Sequence, residues 1–348
     1  MRRVLIFVIL VILLSLPVRS MELEVPEPPD SARELLPEEA DSFGQGLFNV
    51  MTAAAKELAP SLSAAAGCCL RVAAAVLLTA LAGELAPGVS AGALELCGTA
   101  AVAALLLEPS AALIELGAQT VRELQDYGKL LAGVLASALG ARGSVSASAA
   151  LYAGTAFFHG ILGAAVTAVF LPMLWMYLAL AIADGAFGDR LLSRCKGLLR
   201  WCMEWALKLT LYLFTGYMTV TGVVSGTADA AAAKAARIAI SGAVPVVGGI
   251  LSDAADAVLL SASALGSSAG IWGILTVAAV FSIPAIRLGG QYLLLKLTAA
   301  LGESMGQLRC AALAGDFASA MGLLLALVST QTVLLLISSV CFLRGMGA

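Results

Sequence analysis

The stretch Ser241–Val258, "SGAVPVVGGILSDAADAV", sets a proline and a glycine pair ahead of two aspartates three residues apart. Pro245 has no N–H to donate, and Gly248 with Gly249 admits backbone angles closed to other residues, so a helix arriving from Lys234 ends here. Ser252 then stands as N-cap of a new helix. Asp253 and Asp256 fall in or near its first turn, where the partial positive charge of a helix N-terminus stabilises carboxylates. Two readings fit. In one, the break and the aspartates line a pathway or coordinate a cation; in the other, the aspartates are ordinary caps on an extracytoplasmic surface hairpin. Irregular backbone at membrane depth survives only inside protein or beside a wet cavity, so the first reading makes the segment a re-entrant hairpin.

Four further charges lie within apolar stretches: Arg71, Glu95, Arg287 and Lys296. Each costs roughly 2.5–3.5 kcal/mol if left unpaired at a bilayer centre, so each must pair, snorkel or face water. Arg287 and Lys296 lie near one end of a long apolar helix and are placed to snorkel. Arg71 and Glu95 sit deeper on consecutive apolar segments, and an Arg71–Glu95 ion pair is the specific expectation.

Other chemistries lack their residues. The seven cysteines form no CxxC pair and the single histidine, His159, stands in "TAFFHGILG", so no zinc or haem signature can be assembled. Both residue types read as packing residues in apolar helices. No glycine-rich stretch continues into the GK[ST] of a P-loop, and neither HExxH nor GxSxG occurs. The expectation is no enzyme, no metal and no cofactor.

The elements that must carry these residues are membrane helices. Of the 348 residues 60% are hydrophobic and only 12% charged, against about half and a quarter in soluble domains. A net charge of −3 and sparse aromatics exclude a nucleic-acid surface. "MRRVLIFVILVILLSLPVRS" has the basic start, apolar core and break of a secretory signal, with cleavage expected near Ser20; an uncleaved first helix is the competing reading. Residues 21–60 begin with "MELEVPEPPDSARELLPEEADSFG" and read as an acidic, proline-rich extracytoplasmic tail.

Residues 61–348 then read as the multi-span domain, with apolar helices at Ala64–Gly83, Ala91–Leu107, Ser146–Ala183, Trp201–Val224, Gly270–Leu301 and Gly322–Leu343. Ser110–Tyr127 reads as a separate amphipathic helix, and 129–140 either crosses or re-enters. Pro172 and Pro284 should break their helices. Arg190, Arg194, Lys196 and Arg200 crowd one connection, the strongest cytoplasmic marker in the chain. Abundant glycine and alanine at helical spacing favour close packing within the chain or between copies. A proline-broken helix, a link holding Arg-Cys and another span occur twice, at Pro172 and at Pro284, an arrangement transporters also use. The predicted class is all-α: a polytopic membrane bundle of six or seven spans after the signal peptide.

From about residue 127 to the end, the chain resembles the stage III sporulation protein AE family of endospore-forming bacteria. The resemblance is carried by "TGVVSGTADAAAAKAARIAISGAVPVVGGILSDAADAVLLSASALGSSAGIWG" and by "IPAIRLGGQYLLLKLTAALGE". The PVVGGxLSDAxD core is the specific part, and it places Pro245, Gly248, Gly249, Asp253 and Asp256 in the family motif. This chain departs at "ASALGSSAGIWG", which lacks the Lys-Asn that the family usually carries.

The resemblance implies a multi-pass component of the mother-cell-derived membrane around the engulfed forespore. It further implies a channel or secretion-like complex, with ring-forming proteins and a separate ATPase as partners and forespore membrane proteins reached indirectly. A purely structural anchor for that complex and a stand-alone secondary transporter are the alternatives.

Overall fold

The computed structural model describes residues 26–33, 35–36, 43–85, 90–141, 145–220 and 268–347. The signal segment and Pro245, Gly248, Gly249, Asp253 and Asp256 lie outside the described residues, as does 242–251 with its crossing or re-entry. Among those described there is helix and no strand. The elements are α1 (Asp30–Arg33), α2 (Phe43–Leu85), α3 (Ala91–Ala141), α4 (Val145–Ala165), a π-turn (Val166–Phe170), α5 (Leu171–Phe187), α6 (Arg190–Val220), α7 (Ser268–Ser304) and α8 (Leu308–Gly347).

Five of these stretches are long and apolar enough to cross a membrane: Gln45–Leu85, Gly92–Ala141, Ser148–Phe187, Trp272–Ser304 and Leu308–Leu343. The chain is an all-α helical membrane bundle. The expected span at Trp201–Val224 is not among the five. Within its described part, on α6, Glu204 and Lys208 interrupt the apolar run.

The helices pair as three antiparallel hairpins, α2–α3, α4/α5–α6 and α7–α8, all turned at the same end. Gly117 faces Leu324 and Gly128 faces Leu335, so α3 and α8 run parallel; Gly46 faces Leu275 and Gly290 faces Leu62, so α2 and α7 do too. Ser148 donates to the Ala136 carbonyl while Gly185 faces Leu313, which sets α4–α5 antiparallel to α3 and α8. Of the most apolar stretch of α8, 83% is buried, against 33% in α2. Thus α8 is the core of the bundle, and α2 presents most of its surface outward.

The helices run past several expected breaks. Ala91–Leu107, Ser110–Tyr127 and 129–140 are one helix, α3. Its buried positions Val102, Leu106, Ser110, Ile114, Val121, Leu124, Leu131 and Leu135 recur every three to seven residues straight through Pro109. A continuous packed stripe outweighs the hydrogen bond that the proline forfeits. The amphipathic reading of its middle holds for the outer face, where Glu115, Arg122, Asp126 and Lys129 are exposed.

Pro284 likewise sits inside an uninterrupted α7, as Pro60 does in α2. At Pro172 the chain widens instead of splitting. The Leu171 N–H bonds to the Val166 carbonyl, a five-residue reach that makes room for the ring one residue later. The twofold echo in the sequence corresponds to two hairpins turned at one end through left-handed glycines, Gly188 (φ 67°) and Gly306 (φ 77°).

The acidic tail is also shorter than 21–60, because α2 starts at Phe43. Upstream of it, Ala32 and Leu35 are buried and Ser31 donates to the Glu123 carboxylate, so part of the tail is docked on the bundle. At 1.5 Å per residue α2 is about 65 Å long and α3 about 77 Å, roughly twice the 30 Å of a bilayer core. The bundle therefore projects well beyond the hydrocarbon.

Candidate functional site

The densest charge cluster lies one to three turns from the hairpin turns. Gly188, in the left-handed conformation, ends α5 by donating its N–H to the Asp184 carbonyl at 2.7 Å. Asp189 then caps α6, accepting from the Leu191 N–H at 3.0 Å. This two-residue turn returns α6 along α5 and sets Lys196 beside Asp184, while α8 supplies Asp316 from the other hairpin. The Lys196 ammonium donates to Asp184 Oδ2 at 2.8 Å and to Asp316 Oδ2 at 2.5 Å. Tyr177 donates its hydroxyl to Asp316 Oδ1 at 3.2 Å. Beside them Arg200 donates to Glu204 at 2.7 Å and to the Ser319 hydroxyl at 3.4 Å.

Side-chain exposure is 13% for Lys196 and 17% for each aspartate, so these charges are largely removed from water and depend on one another. Burial pulls the Lys196 pKa down, but hydrogen bonds and attraction from Asp184 and Asp316 outweigh it and leave the value raised. A raised lysine contributes its stabilisation fully below the ordinary lysine value and loses it only as pH climbs through the folded value. At neutral pH the ammonium is charged, and it ties α5, α6 and α8 together.

A second charge contact flanks this cluster. Glu95, on α3, pairs with Arg309 on α8 at 2.9 Å, and Arg309 also donates to the Ala186 carbonyl at 3.5 Å. The expected Arg71–Glu95 pair is therefore not made. Arg71 is exposed and donates to its own helix, at the Gly67 carbonyl, 3.2 Å away. The reason is axial position: Arg71 lies about 21 Å back from the end of α2, whereas Glu95 lies about 6 Å into α3. Arg287 does not snorkel but pairs with Glu57 of α2 at 3.1 Å. Lys296 is exposed and makes no ion pair among the described residues. A double-mutant cycle on Glu95 and Arg309, both about two-fifths exposed, should give a coupling of about 0.2–1 kcal/mol. The same cycle on Arg71 and Glu95 should give zero, and a coupling there would contradict the register of the α2–α3 hairpin.

Sequence reasoning missed Asp184 and Asp316. One ends an apolar stretch and the other opens the last, and the available signal was a lysine and two acids all within three turns of glycine turns. A separate buried polar contact joins α3, α4 and α8. His159 Nδ1 lies 3.0 Å from Gln331 Nε2, and Gln125 donates to the His159 carbonyl at 3.2 Å. Gly163 faces the Gln125 amide, leaving it room to cross. Among the described residues no group of three or more His, Cys, Asp or Glu is placed to hold a metal ion.

Comparison with known proteins places this architecture. A Bacillus subtilis (strain 168) protein described as "Stage III sporulation protein AE" is 25% identical over 158 residues, which is 43% of this chain and 40% of that protein. The aligned part thus spans less than half of the curated relative. No solved structure matches. Residues 36–344 match the family described as Stage III sporulation protein AE, a match that takes in all of the long helices and the 241–258 motif. The chain belongs to the stage III sporulation protein AE family.

Proposed function

We propose that this sporulation membrane protein is a scaffold component of a channel or secretion-like complex joining mother cell and forespore, required for forespore development and late gene expression. The observation that carries the reading is the family match across 36–344. The bundle adds support: its longest helices, α2 and α3, are at least twice as long as a bilayer core is thick, which leaves protein surface outside the lipid for other components. On this reading the chain sits in the mother-cell-derived membrane around the forespore and catalyses nothing itself. A separate ATPase and ring-forming proteins are its partners. The Asp253 and Asp256 segment lies at or near the pathway.

The test is a chain carrying Asp253→Asn and Asp256→Asn, expressed in place of the native protein in a sporulating cell. A variant that accumulates, localises and assembles normally but fails to support forespore gene expression is the expected outcome. If it behaves like wild type, the pathway role is lost and the structural anchor is the better account. A stand-alone transporter would instead move a solute in liposomes after purification without any partner.

A further inference from the structure

The first half of α6 packs on the bundle by one side, through Lys196 and Arg200, and leaves the other side open. Leu191, Leu198, Trp201 and Trp205 are 65, 60, 59 and 53% exposed. At 100° per residue they fall within one quadrant of the helix, with Arg194 among them and Arg190 at the edge. The opposite side carries Lys196, Met203 and Leu207, which face the bundle. Down the outer side the order is Arg190, Leu191, Arg194 and Leu198, then a tryptophan pair, then Leu209, Tyr212 and Leu213, all exposed. The two indoles stack with centroids 6.2 Å apart and 21° between planes.

Arg190 and Arg194 differ from the other basic residues of this end. Lys196, Arg200 and Arg309 are all engaged with carboxylates. Arg190 and Arg194 are exposed and make no ion pair among the described residues. Arg194 and Trp201 are about 10 Å apart along the axis, slightly more than the 5–8 Å of headgroup layer on each side of a bilayer core. Basic groups at phosphate depth, indoles at the interface and aliphatic side chains beyond are the sequence of one lipid leaflet.

We propose that Arg190 and Arg194 bind the phosphate of an anionic phospholipid, with the Trp201–Trp205 stack lying against its glycerol and upper acyl region. The charge is complementary, the aromatic pair lies on the apolar side of the arginines, and five of the described helical stretches are able to cross a membrane. The site anchors the α5–α6 hairpin to the leaflet directly outside the Lys196 cluster.

The test uses the full chain in detergent micelles, with tryptophan fluorescence quenched by brominated phosphatidylglycerol or brominated phosphatidylcholine. Phosphatidylglycerol should bind at least tenfold more tightly at low salt, and the preference should shrink as salt is added. At about 1 kcal/mol per surface basic residue, Arg190→Gln with Arg194→Gln should weaken phosphatidylglycerol binding about 30-fold and leave phosphatidylcholine unchanged. Arg190→Lys with Arg194→Lys should retain most of the binding. Trp201→Phe with Trp205→Phe should remove the part of the quenching that prefers phosphatidylglycerol and leave the part from Trp175, which is 42% exposed on a membrane-crossing stretch.

Equal affinity for the two lipids, or an unchanged phosphatidylglycerol affinity in the glutamine variant, overturns the proposal. Full displacement of the lipid by millimolar inorganic phosphate would make this a free-anion site and would also overturn it. So would efficient cross-linking between copies through Cys195, which is exposed on the same side, because a second copy would then cover this face.

Discussion

Lys196→Met is expected to destabilise the protein by about 3–5 kcal/mol, the usual cost of removing one partner from a buried ion pair, read as a lower midpoint of unfolding in detergent. The substitution keeps much of the side chain's length, so the loss reports charge more than volume. What remains is two carboxylates, each 17% exposed, brought together by two hairpins with no cation between them. Tyr177 still donates to the Asp316 carboxylate, a bond of about 1.5–3 kcal/mol, but the wild type has it too and so it does not offset the lost cation. Adding Asp184→Asn and Asp316→Asn to Lys196→Met should recover most of the loss, since a wholly neutral site is often no less stable than a buried ion cluster. A Lys196→Met protein within 1 kcal/mol of wild type would mean that the cluster does not hold α6 in place.

Gly154→Ala should also be destabilising, by about 1–3 kcal/mol, although alanine is the better helix former by about 0.8–1.0 kcal/mol. Gly154 is where α4 admits the Tyr217 ring of α6. A Cβ there would lie 2.0 Å from Tyr217 Cε1 and 2.8 Å from Cδ1 and Cζ. The ring is fixed on its other sides. Its hydroxyl donates to the Ala150 carbonyl at 2.9 Å, and Phe158 packs on it at 5.9 Å while itself packing on Phe214 at 5.3 Å. Overpacking of this kind costs typically 1–3 kcal/mol, and a shift of the ring that breaks the hydroxyl contact adds about 1 kcal/mol. Those terms exceed the propensity gain. Gly160→Ala is the internal control: nothing lies within 4 Å of a Cβ there, so it should be neutral or slightly stabilising. If the two variants unfold at the same midpoint, the α4–α6 contact is not as close as the ring placement requires.

Much of the architecture is legible in composition, because an apolar excess of this size and helices of membrane length admit few alternatives. Helix ends are less legible. Pro109 and Pro284 are strong local signals for a break, yet the stripes at Leu106 and Ile114, and at Val280 and Leu288, stay buried on both sides of them. Packing against α8 is a long-range term that a local reading does not contain. The charge pairs failed for a related reason. Arg71 and Glu95 are neighbours in sequence order of spans, but Glu95 meets Arg309 and Lys196 meets Asp316, 120 positions away. Only the register of hairpin against hairpin decides such partners. The acidic motif at Asp253 and Asp256 was the clearest chemical signal in the chain, whereas the cluster the fold assembles uses residues that are individually unremarkable.

The π-turn at Val166–Phe170 also bears on how this chain can change in length. It holds one residue more than a regular α-helical turn, and each residue of an α-helix advances the side chains by about 100°. Deleting one residue there would let the helix close into regular geometry with the side chains on either side still in phase, so Tyr177 and Asp184 would keep facing Lys196 and Asp316, whereas a deletion in the regular helix between Leu171 and Tyr177 would swing them away by about that angle. The turn can thus lose its extra residue, but a one-residue deletion further along α5 would dismantle the ion cluster without altering any of its members. Related chains should therefore differ by one residue in length between His159 and Asp184 only at this turn.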